Sequence, residues 1–423
     1  MPQLSSYILR LGGGRVRRWR AAYVAPPALP PPTFSLRVAF ASAPFANPVT
    51  WTDISADLLS LRTSRGRQQV LDRIEAGTAQ FDIDNQLGNY WPDNAAGLYY
   101  PNVKPCKRIN LQAVYNSVTY DIYTGFVDEW PLSWDVPELH LRSDIRLECS
   151  DLISNLSHFD LNIAGYALEY SGTRVGNVLT SLGWPVALRN LDTGQSQVIA
   201  TGALTGENSK DHLQLVQESE RGILFIAPDG DVQYHDRHKR FKAPYTTSQA
   251  TFGDASPQNK YRAIEPSYGG SFIYNDINIT REGGTLQNAN DSTSQTAYGK
   301  RSLSKTGLLI ATDNEALSQA QYLVGRYKDP SVRLKKLTVY PQADPDNLWP
   351  LVLTLDISDR ITIVLGEASI SRDYHIEGVT HEYDTREGLW VTNYQLSDAD
   401  NQAYWALGTA GLSELGITTK LAY

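Results

Sequence analysis

Two groups of residues carry the side-chain types that hold metal ions. The first is Asp82, Asp84, Gln86 and Asp93, in which Asp93 stands twelfth when Asp82 is first, as in a calcium-binding loop. Leu87 occupies the place where an EF-hand loop needs glycine, and the pattern predicts no flanking helices. We therefore interpret these residues as turn formers in a long structured loop after a strand.

The second group is the run His235-Asp236-Arg237-His238. Neighbouring side chains on a strand point to opposite faces, so His235 and His238 do not share a face. The sequence offers no third ligand to complete a metal site. We expect a solvated polar strand end at this position.

Motifs of catalysis are missing from the sequence: it contains no G-x-S-x-G, H-E-x-x-H, P-loop or G-x-G-x-x-G. Carboxylate pairs such as Asp128-Glu129 occur in any acidic protein. A glycosidase needs two opposed carboxylates in a cleft, which spacing along the chain does not reveal. We predict no catalytic residue, no cofactor and no metal, and therefore a protein that is not an enzyme.

The composition is that of a β-rich globular protein. Of 423 residues, 41% are hydrophobic and 20% are charged, which indicates about two to four folded domains. The 24 Tyr, 9 Trp, 31 Gly and 22 Pro favour strands and turns. Cys106 and Cys149 do not make a disulfide scaffold, and we expect two reduced thiols. No apolar stretch reaches 18 residues, so no membrane-spanning segment is predicted.

Charge divides the chain into a basic arm and an acidic body. The formal net charge is 38 − 46 = −8. Residues 1–33 contain five arginines and no acidic residue, so the remainder carries −8 − 5 = −13. Such a body argues against a general nucleic-acid binder. The arm, with its Gly and Pro runs, either orders on meeting a partner or is a floppy tail.

The elements that must position any site follow a β, α+β, β order. Short alternating runs at 34–149 predict antiparallel strands, with a turn at Asn116-Ser117. Residues 150–240 predict an α+β unit with helices at 175–182 and 211–221 and a β-hairpin at Asp229-Gly230.

Residues 241–400 predict a second β unit. Thr312 and Glu315 form a capping box that opens one helix over 313–328. Alternating apolar residues predict strands at 271–280, at 351–357 and from Ile361, and a hairpin joins 374–383 to 389–396. Residues 401–423 are a semi-apolar tail. The fold class is therefore mainly β with an α+β insert.

The sequence contains a series of short strings. In their residues and in their order along the chain, these strings resemble the minor tail or tail-hub proteins of long-tailed, siphovirus-like bacteriophages. The resemblance covers residues 34–410. The strings are Ser64-Arg65-Gly66-Arg67, Leu71-Asp72-Arg73, Glu75-Ala76-Gly77-Thr78-Ala79, Asp82-Ile83-Asp84-Asn85, Gly88-Asn89-Tyr90-Trp91-Pro92-Asp93-Asn94, Tyr123-Thr124-Gly125-Phe126-Val127, Ser219-Glu220-Arg221-Gly222, Asp359-Arg360-Ile361-Thr362-Ile363 and Tyr404-Trp405-Ala406-Leu407-Gly408.

The resemblance implies two tail-tube-like β-barrel domains plus smaller domains. It implies a ring, often a trimer with pseudo-sixfold symmetry, that joins the tail tube to the tip and lines a channel for DNA. The chain departs from the family in its basic arm and at Ser358, where the family has glycine.

We therefore expect a virion protein of the tail tip, made in the host cytoplasm. The expected partners are further copies of itself, distal tail and tail-tube proteins, the tape-measure protein, central tip or fibre proteins, and DNA only in transit. The alternatives are a distal tail ring or receptor- or carbohydrate-binding component, and a cell-wall hydrolase. The interaction residues that we single out are Arg15, Arg17, Arg18, Arg20, Asn89, Tyr90, Trp91 and Asp93.

Overall fold

The computed structural model describes residues 31–73, 75–131 and 144–399, together with the backbone of 403–404 and 419–420. The first described segment is built of antiparallel strands, and the predicted turn at Asn116-Ser117 is confirmed, with φ of 50° and 64°. Its strands are β1 (Thr33–Val38), β2 (Thr52–Asp53), β3 (Leu58–Gly66), β4 (Thr78–Asp84), β5 (Arg108–Tyr115), β6 (Val118–Glu129) and β7 (Asp144–Ser150).

The middle segment mixes helices and strands, as predicted. Both predicted helices and the Asp229-Gly230 hairpin are confirmed, and the Asn208 side chain caps the second of these helices. The elements are α1 (Leu152–Leu156), β8 (Asp160–Ile163), β9 (Glu169–Tyr170), α2 (Ser171–Ser181), β10 (Arg189–Leu191), β11 (Gln197–Val198), β12 (Leu204–Asn208), α3 (Ser209–Glu220), β13 (Ile223–Ile226) and β14 (Val232–His235).

The third segment returns to strands. Its predicted long helix is confirmed, because the Thr312 side chain accepts a hydrogen bond from the Glu315 amide. The elements are β15 (Ala250–Gly253), β16 (Ala263–Ser267), β17 (Asp276–Arg281), β18 (Gln287–Asn290), α4 (Ser292–Tyr298), β19 (Ser302–Leu308), α5 (Asp313–Tyr327), β20 (Arg333–Val339), α6 (Pro345–Thr354), β21 (Arg360–Leu365), β22 (Ile370–Asp384), β23 (Leu389–Asp398), β24 (Ala403–Tyr404) and β25 (Thr419–Lys420).

The strand predicted at 351–357 is wrong, because most of this stretch belongs to α6. Pro345 occupies the first turn of α6, where its missing N–H costs nothing. The buried residues Leu348, Trp349, Val352 and Leu353 are spaced as one face of a helix. The alternating leucines of this stretch therefore belong mostly to a helix, and the chain becomes extended only at Leu355.

Thirteen of the described strands join into one sheet. Its main path runs β16-β20-β23-β22-β3-β4-β7-β6-β5-β1-β2, and β21 pairs with β22 and with β15. The mainly β fold class is confirmed. The first and third segments meet where β3 pairs antiparallel with β22 over seven residues, Ser60 to Gly66 against Asp384 to Gly378. This path does not close into a barrel among the described strands.

Burial follows the same organisation. One apolar core contains side chains of both β segments, from Leu36 to Leu396. A second lies in the α+β segment around Val175 and Val216, and a third lies under α5. Cys149 is buried and Cys106 is exposed, and both are free thiols.

The junction of β3 and β22 depends on the absence of a side chain at Gly66. Gly66 has φ of +95°, and a Cβ built there would lie 2.3 Å from the carbonyl oxygen of Glu377. The pairing register of β22 shifts between Ile376 and Gly378, so the backbone bulges toward Gly66. Only glycine meets both the conformation and the close approach.

Substitution Gly66→Ala is expected to lower the free energy of unfolding by at least about 2 kcal/mol, because strained backbone and a steric clash add. The matched control is Gly325→Ala on the exposed face of α5, where a Cβ meets nothing within 4 Å. That variant should gain about 0.5–1 kcal/mol from helix propensity. Urea unfolding measures both, and equal stabilities would contradict the role of Gly66.

Candidate functional site

A buried ionic joint forms where the three segments meet, and the Ser64-Arg65-Gly66-Arg67 string lies at its centre. Arg65 donates to Asp356 at 2.8 Å and to the carbonyl oxygen of Ile226 at 3.3 Å. It therefore ties β3 to the turn before β21 and to the hairpin strand β13. The string acts as a joint between segments.

The second arginine of the string neutralises a carboxylate that has no contact with solvent. Glu377 is 0% exposed and accepts hydrogen bonds from Arg67 at 2.8 Å, from Arg240 and from the Ser397 hydroxyl. Burial alone would raise the pKa of Glu377, but the guanidinium groups of Arg240 and Arg67 hold that pKa well below its ordinary value. The ionised carboxylate of Glu377, in the third segment, is thus bound by one arginine from each of the other two segments.

The prediction of a solvated strand end at His235 is wrong. His235 is 3% exposed, its ring contacts Phe225 and Tyr245, and its Nδ1 lies 3.1 Å from the hydroxyl of Ser358. Burial lowers the pKa of His235 to about 4, which keeps the ring neutral at pH 7. The strand end is buried because the third β segment covers it, a long-range contact that local polarity does not reveal.

Ser358 occupies a backbone position that favours glycine, the residue that the resemblance predicts there. Its φ is +77°, in the left-handed region that favours glycine. The serine hydroxyl compensates by accepting a hydrogen bond from Arg240 at 3.2 Å and by contacting His235. The Ser358 carbonyl oxygen lies 3.0 Å from Nδ1 of His375.

The Ser219-Glu220-Arg221-Gly222 string makes a second buried joint. Glu220 is 0% exposed, and its carboxylate accepts from the Ser171 hydroxyl at 2.9 Å and from the backbone amide of Ser196 at 2.6 Å. Arg221 ends α3 with φ of 58° and lies 4.3 Å over the ring of Tyr322. The contacts of Glu220 therefore stay within the α+β segment, and Arg221 links that segment to α5.

Both sites hold parts of the chain together. The contacts of Glu377 join different segments, and those of Glu220 join parts of the α+β segment. A cleft lies beside His375 and Ser397, and the arginines that line it are engaged with carboxylates, carbonyl oxygens or rings, such as Arg73 with Glu218 and Arg237 with Glu315. Across the described ranges, no three His, Cys, Asp or Glu side chains gather in a way that could hold a metal ion. No helix in the described part of the chain is long and apolar enough to span a membrane.

The residues of the predicted calcium-like pattern serve other purposes. Asp82 lies in β4 and accepts from Arg146 at 2.8 Å and from the Ser60 hydroxyl. Asp84 makes a turn, because its Oδ1 accepts from the Gln86 amide at 2.9 Å. The turn interpretation therefore holds for Asp84, whereas Asp82 belongs to the sheet.

The loop after β4 presents some of the predicted interaction residues to solvent. Trp91 and Asp93 are exposed, and the Asn89 side chain accepts from the Leu98 amide at 3.2 Å. Tyr90 is fully buried and its hydroxyl donates to Asp57, so Tyr90 fixes the loop from inside.

Sequence reasoning missed the exposed leucines of this loop. Leu87 is 82% exposed and Leu98 is 71% exposed. The available signal was large apolar residues inside a stretch rich in Asn, Gly and Pro, which form turns at the surface. Arg15, Arg17, Arg18 and Arg20 lie outside the described residues.

Comparison with solved structures shows similarity to bacteriophage tail proteins. The chain is similar to the 43 kDa tail protein of prophage MuSo2 from Shewanella oneidensis, with a TM-score of 0.55 and 14% identity over 87% of this chain and 98% of that one. It is similar to the tail protein from Neisseria meningitidis MC58, with a TM-score of 0.56 and 12% identity over 87% and 97%.

A third similar structure is a chain of the Francisella PdpA–VgrG complex, with a TM-score of 0.50 and 11% identity over 89% of this chain and 59% of that one. No protein-family model and no curated protein sequence matches the chain. At these identities the comparisons show the fold, which is that of phage tail-type proteins.

Substitution Glu377→Gln is expected to lower the free energy of unfolding by about 3–5 kcal/mol, because it leaves two part-buried arginines without their counter-charge. The folded-state pKa of Glu377 is depressed, so its stabilisation is present above the ordinary value of 4.5 and lost as the pH falls below it. The variant should therefore lose less stability on acidification than the wild type. Urea unfolding at several pH values measures both effects.

The matched control is Glu382→Gln on the same strand. Glu382 pairs with Arg62 at 3.4 Å, and both side chains are largely exposed. An exposed ion pair contributes little, so this variant should change stability by less than about 1 kcal/mol. Equal effects of the two substitutions would refute the importance of the buried joint.

Position 358 allows strain and hydrogen bonding to be separated. Ser358→Ala loses the hydroxyl and keeps the left-handed conformation, so we expect a loss of about 1–2 kcal/mol. Ser358→Gly loses the same hydroxyl but relieves the strain, and it should be more stable than the alanine variant by about 1 kcal/mol. Thermal unfolding compares them, and an alanine variant as stable as the glycine variant would argue against strain at this position.

Proposed function

We propose that this protein is a structural component of a long-tailed bacteriophage virion, a tail-tip or baseplate hub that joins the tail tube to the tip. The observation that carries the proposal is the extent of the structural likeness, which spans 97–98% of two tail proteins and 87% of this chain. Two of the strings that resemble the tail-hub family, residues 64–67 and 219–222, contribute contacts that join parts of the fold, which supports the same assignment.

In this proposal, the two halves of the large sheet on either side of the β3–β22 pairing correspond to two tube-like barrel domains. Copies of the chain form a ring, proposed as a trimer with pseudo-sixfold symmetry, around a channel for DNA. The acidic body fits such a channel, since like charge keeps DNA from adhering. Distal tail, tail-tube, tape-measure and central tip or fibre proteins are the proposed neighbours.

The proposed role is non-enzymatic, and the buried joints support it. Two buried carboxylates stand out chemically and have no contact with solvent: Glu377 is bound between segments, and Glu220 is bound within the α+β segment. A cell-wall hydrolase would instead place a carboxylate in an open cleft, and mutation of that carboxylate would abolish lysis of host walls.

The test is to locate the protein in purified tail particles with a tagged chain and electron cryomicroscopy. We expect the tag at the distal end of the tail, in a ring that surrounds the channel. A sixfold ring above the tip would move the assignment to a distal tail protein. Binding of the isolated protein to host cells would favour a receptor-binding component, and absence from particles would overturn the proposal.

Deletion of residues 1–30 should block incorporation into tails while the remaining chain folds with unchanged thermal stability. The reason is that the basic arm is proposed to reach an acidic neighbour, and β1, the first described strand of the sheet, begins at Thr33. Incorporation is measured by immunoblotting of purified tails. Replacement of Arg15, Arg17, Arg18 and Arg20 by Gln, which preserves arm length, should reproduce the defect. Normal tails from both variants would refute the role of the arm.

A further inference from the structure

We propose that copies of this chain bind one another head to tail through two unlike surfaces at opposite ends of the large sheet. The acidic loop face comprises residues 51–57 and 84–102. The basic edge face comprises residues 260–268 and 332–336. This inference rests on the proposed function, because it names the contact by which the proposed ring would form.

The acidic loop face combines negative charge with exposed apolar side chains. Its two stretches contain four aspartates, Asp53, Asp57, Asp84 and Asp93, and no Lys, Arg or His. The stretches form one surface because Tyr90 donates to Asp57. Leu87 and Leu98 project from it, together with Trp91 and Tyr100.

The loop is held in shape by its own hydrogen bonds. The Asn94 side chain donates to the carbonyl oxygen of Gly88 at 2.8 Å, and the Asn85 side chain accepts from the Tyr90 amide at 3.0 Å. The Tyr99 ring stacks on Phe40 at 4.4 Å between ring centroids. An exposed loop that is already ordered loses little conformational entropy on binding, which favours docking.

The basic edge face has the opposite charge. Its two stretches contain Lys260, Arg262, Arg333, Lys335 and Lys336 and a single acidic residue, Glu265, so its formal charge is 5 − 1 = +4 against −4 on the acidic loop face. Lys336 pairs weakly with Glu265 at 3.7 Å, whereas Lys260 and Lys335 are exposed.

The basic edge face also has the shape of a receiving surface. Its strand β16 pairs with β20 alone among the described strands, so its other edge has no strand partner there. A cleft beside β20 is lined by the apolar side chains of Phe272 and Leu396 and by three basic residues and one acidic residue of this face, Arg333, Lys335, Lys336 and Glu265. Tyr268, the last residue of the first stretch of this face, is exposed.

The positions of the two surfaces favour a second copy of the chain as the occupant. The two surfaces contain the terminal strands of the sheet path, β2 in the acidic loop face and β16 in the basic edge face. Equal and opposite charges steer association, and apolar side chains supply the buried centre of a stable contact. Because the surfaces differ, each copy uses both of them, and a head-to-tail contact closes into a ring when the rotation permits.

Charge reversal tests the contact. Asp93→Lys with Leu98→Lys should weaken self-association by about tenfold or more, and so should Lys260→Glu with Lys335→Glu. The four substitutions in one chain leave formal charges of −4 + 3 = −1 and +4 − 4 = 0 on the two surfaces, so they should not restore assembly. Native mass spectrometry over a concentration series measures association. Glu282→Lys, an exposed reversal outside both surfaces, is the matched control and should assemble as the wild type does.

Cross-linking supplies an independent readout. On a Cys106→Ser background, Leu98→Cys combined with Lys335→Cys should form disulfides between copies under mild oxidation and give a ladder that ends at the ring number. Either single cysteine variant should give at most dimers.

The outcomes separate this inference from the proposed function. A wild-type oligomer that neither charge reversal nor cross-linking affects overturns the contact and leaves the tail-hub proposal standing. A wild-type protein that stays monomeric at every concentration also overturns the contact. The tail-hub proposal is decided separately, by the position of the protein in tail particles and by the binding of the isolated protein to host cells.

Discussion

The structure depends on one electrostatic constraint: the carboxylate of Glu377 is removed from water and must be neutralised by the protein. An uncompensated buried charge costs several kcal/mol, so the fold requires Arg67 and Arg240 together at one point. Arg67 follows β3, Arg240 follows the α+β hairpin, and Glu377 lies in β22. A contact that satisfies the charge therefore assembles all three segments at once. Gly66 and Ser358 accept unusual backbone conformations to allow that approach.

Local chemistry made much of the fold predictable. The Thr312 and Glu315 capping pair defines α5, and the Asp229-Gly230 turn defines the hairpin, because both signals act within a few residues. The stretch at 351–357 was not predictable from its alternation, since Leu353 belongs to a helical face that only tertiary packing distinguishes from a strand face. The pairing of β3 with β22 joins positions more than 300 residues apart, and no local pattern encodes such a register.

The candidate site was predictable only in part. The strings Ser64-Arg65-Gly66-Arg67 and Ser219-Glu220-Arg221-Gly222 could be recognised, but their role as joints became clear only when their distant partners were in place. His235 looked like a solvated residue because its neighbours in sequence are polar, whereas burial is decided by the segment that folds over it. In the loop after β4, residue type alone did not distinguish buried Tyr90 from exposed Trp91.

The buried ion pairs of Glu377 and the two charged surfaces have different parts in the proposed assembly: the ion pairs hold the chain together, and the surfaces bind other copies. Ion pairs that are buried between segments resist movement of one segment against another, because such a movement would leave unpaired charges in an apolar interior. The two surfaces at the ends of the sheet path carry unlike charges, and the acidic loop face also carries the exposed leucines. Exposed apolar side chains of this kind favour a surface that a partner covers. In the proposed ring, the buried ion pairs of Glu377 would keep the two halves of the sheet, and with them the two binding surfaces, in a constant arrangement. A closed ring needs that constant geometry, since a small change in the angle between contacts turns a ring into an open helix.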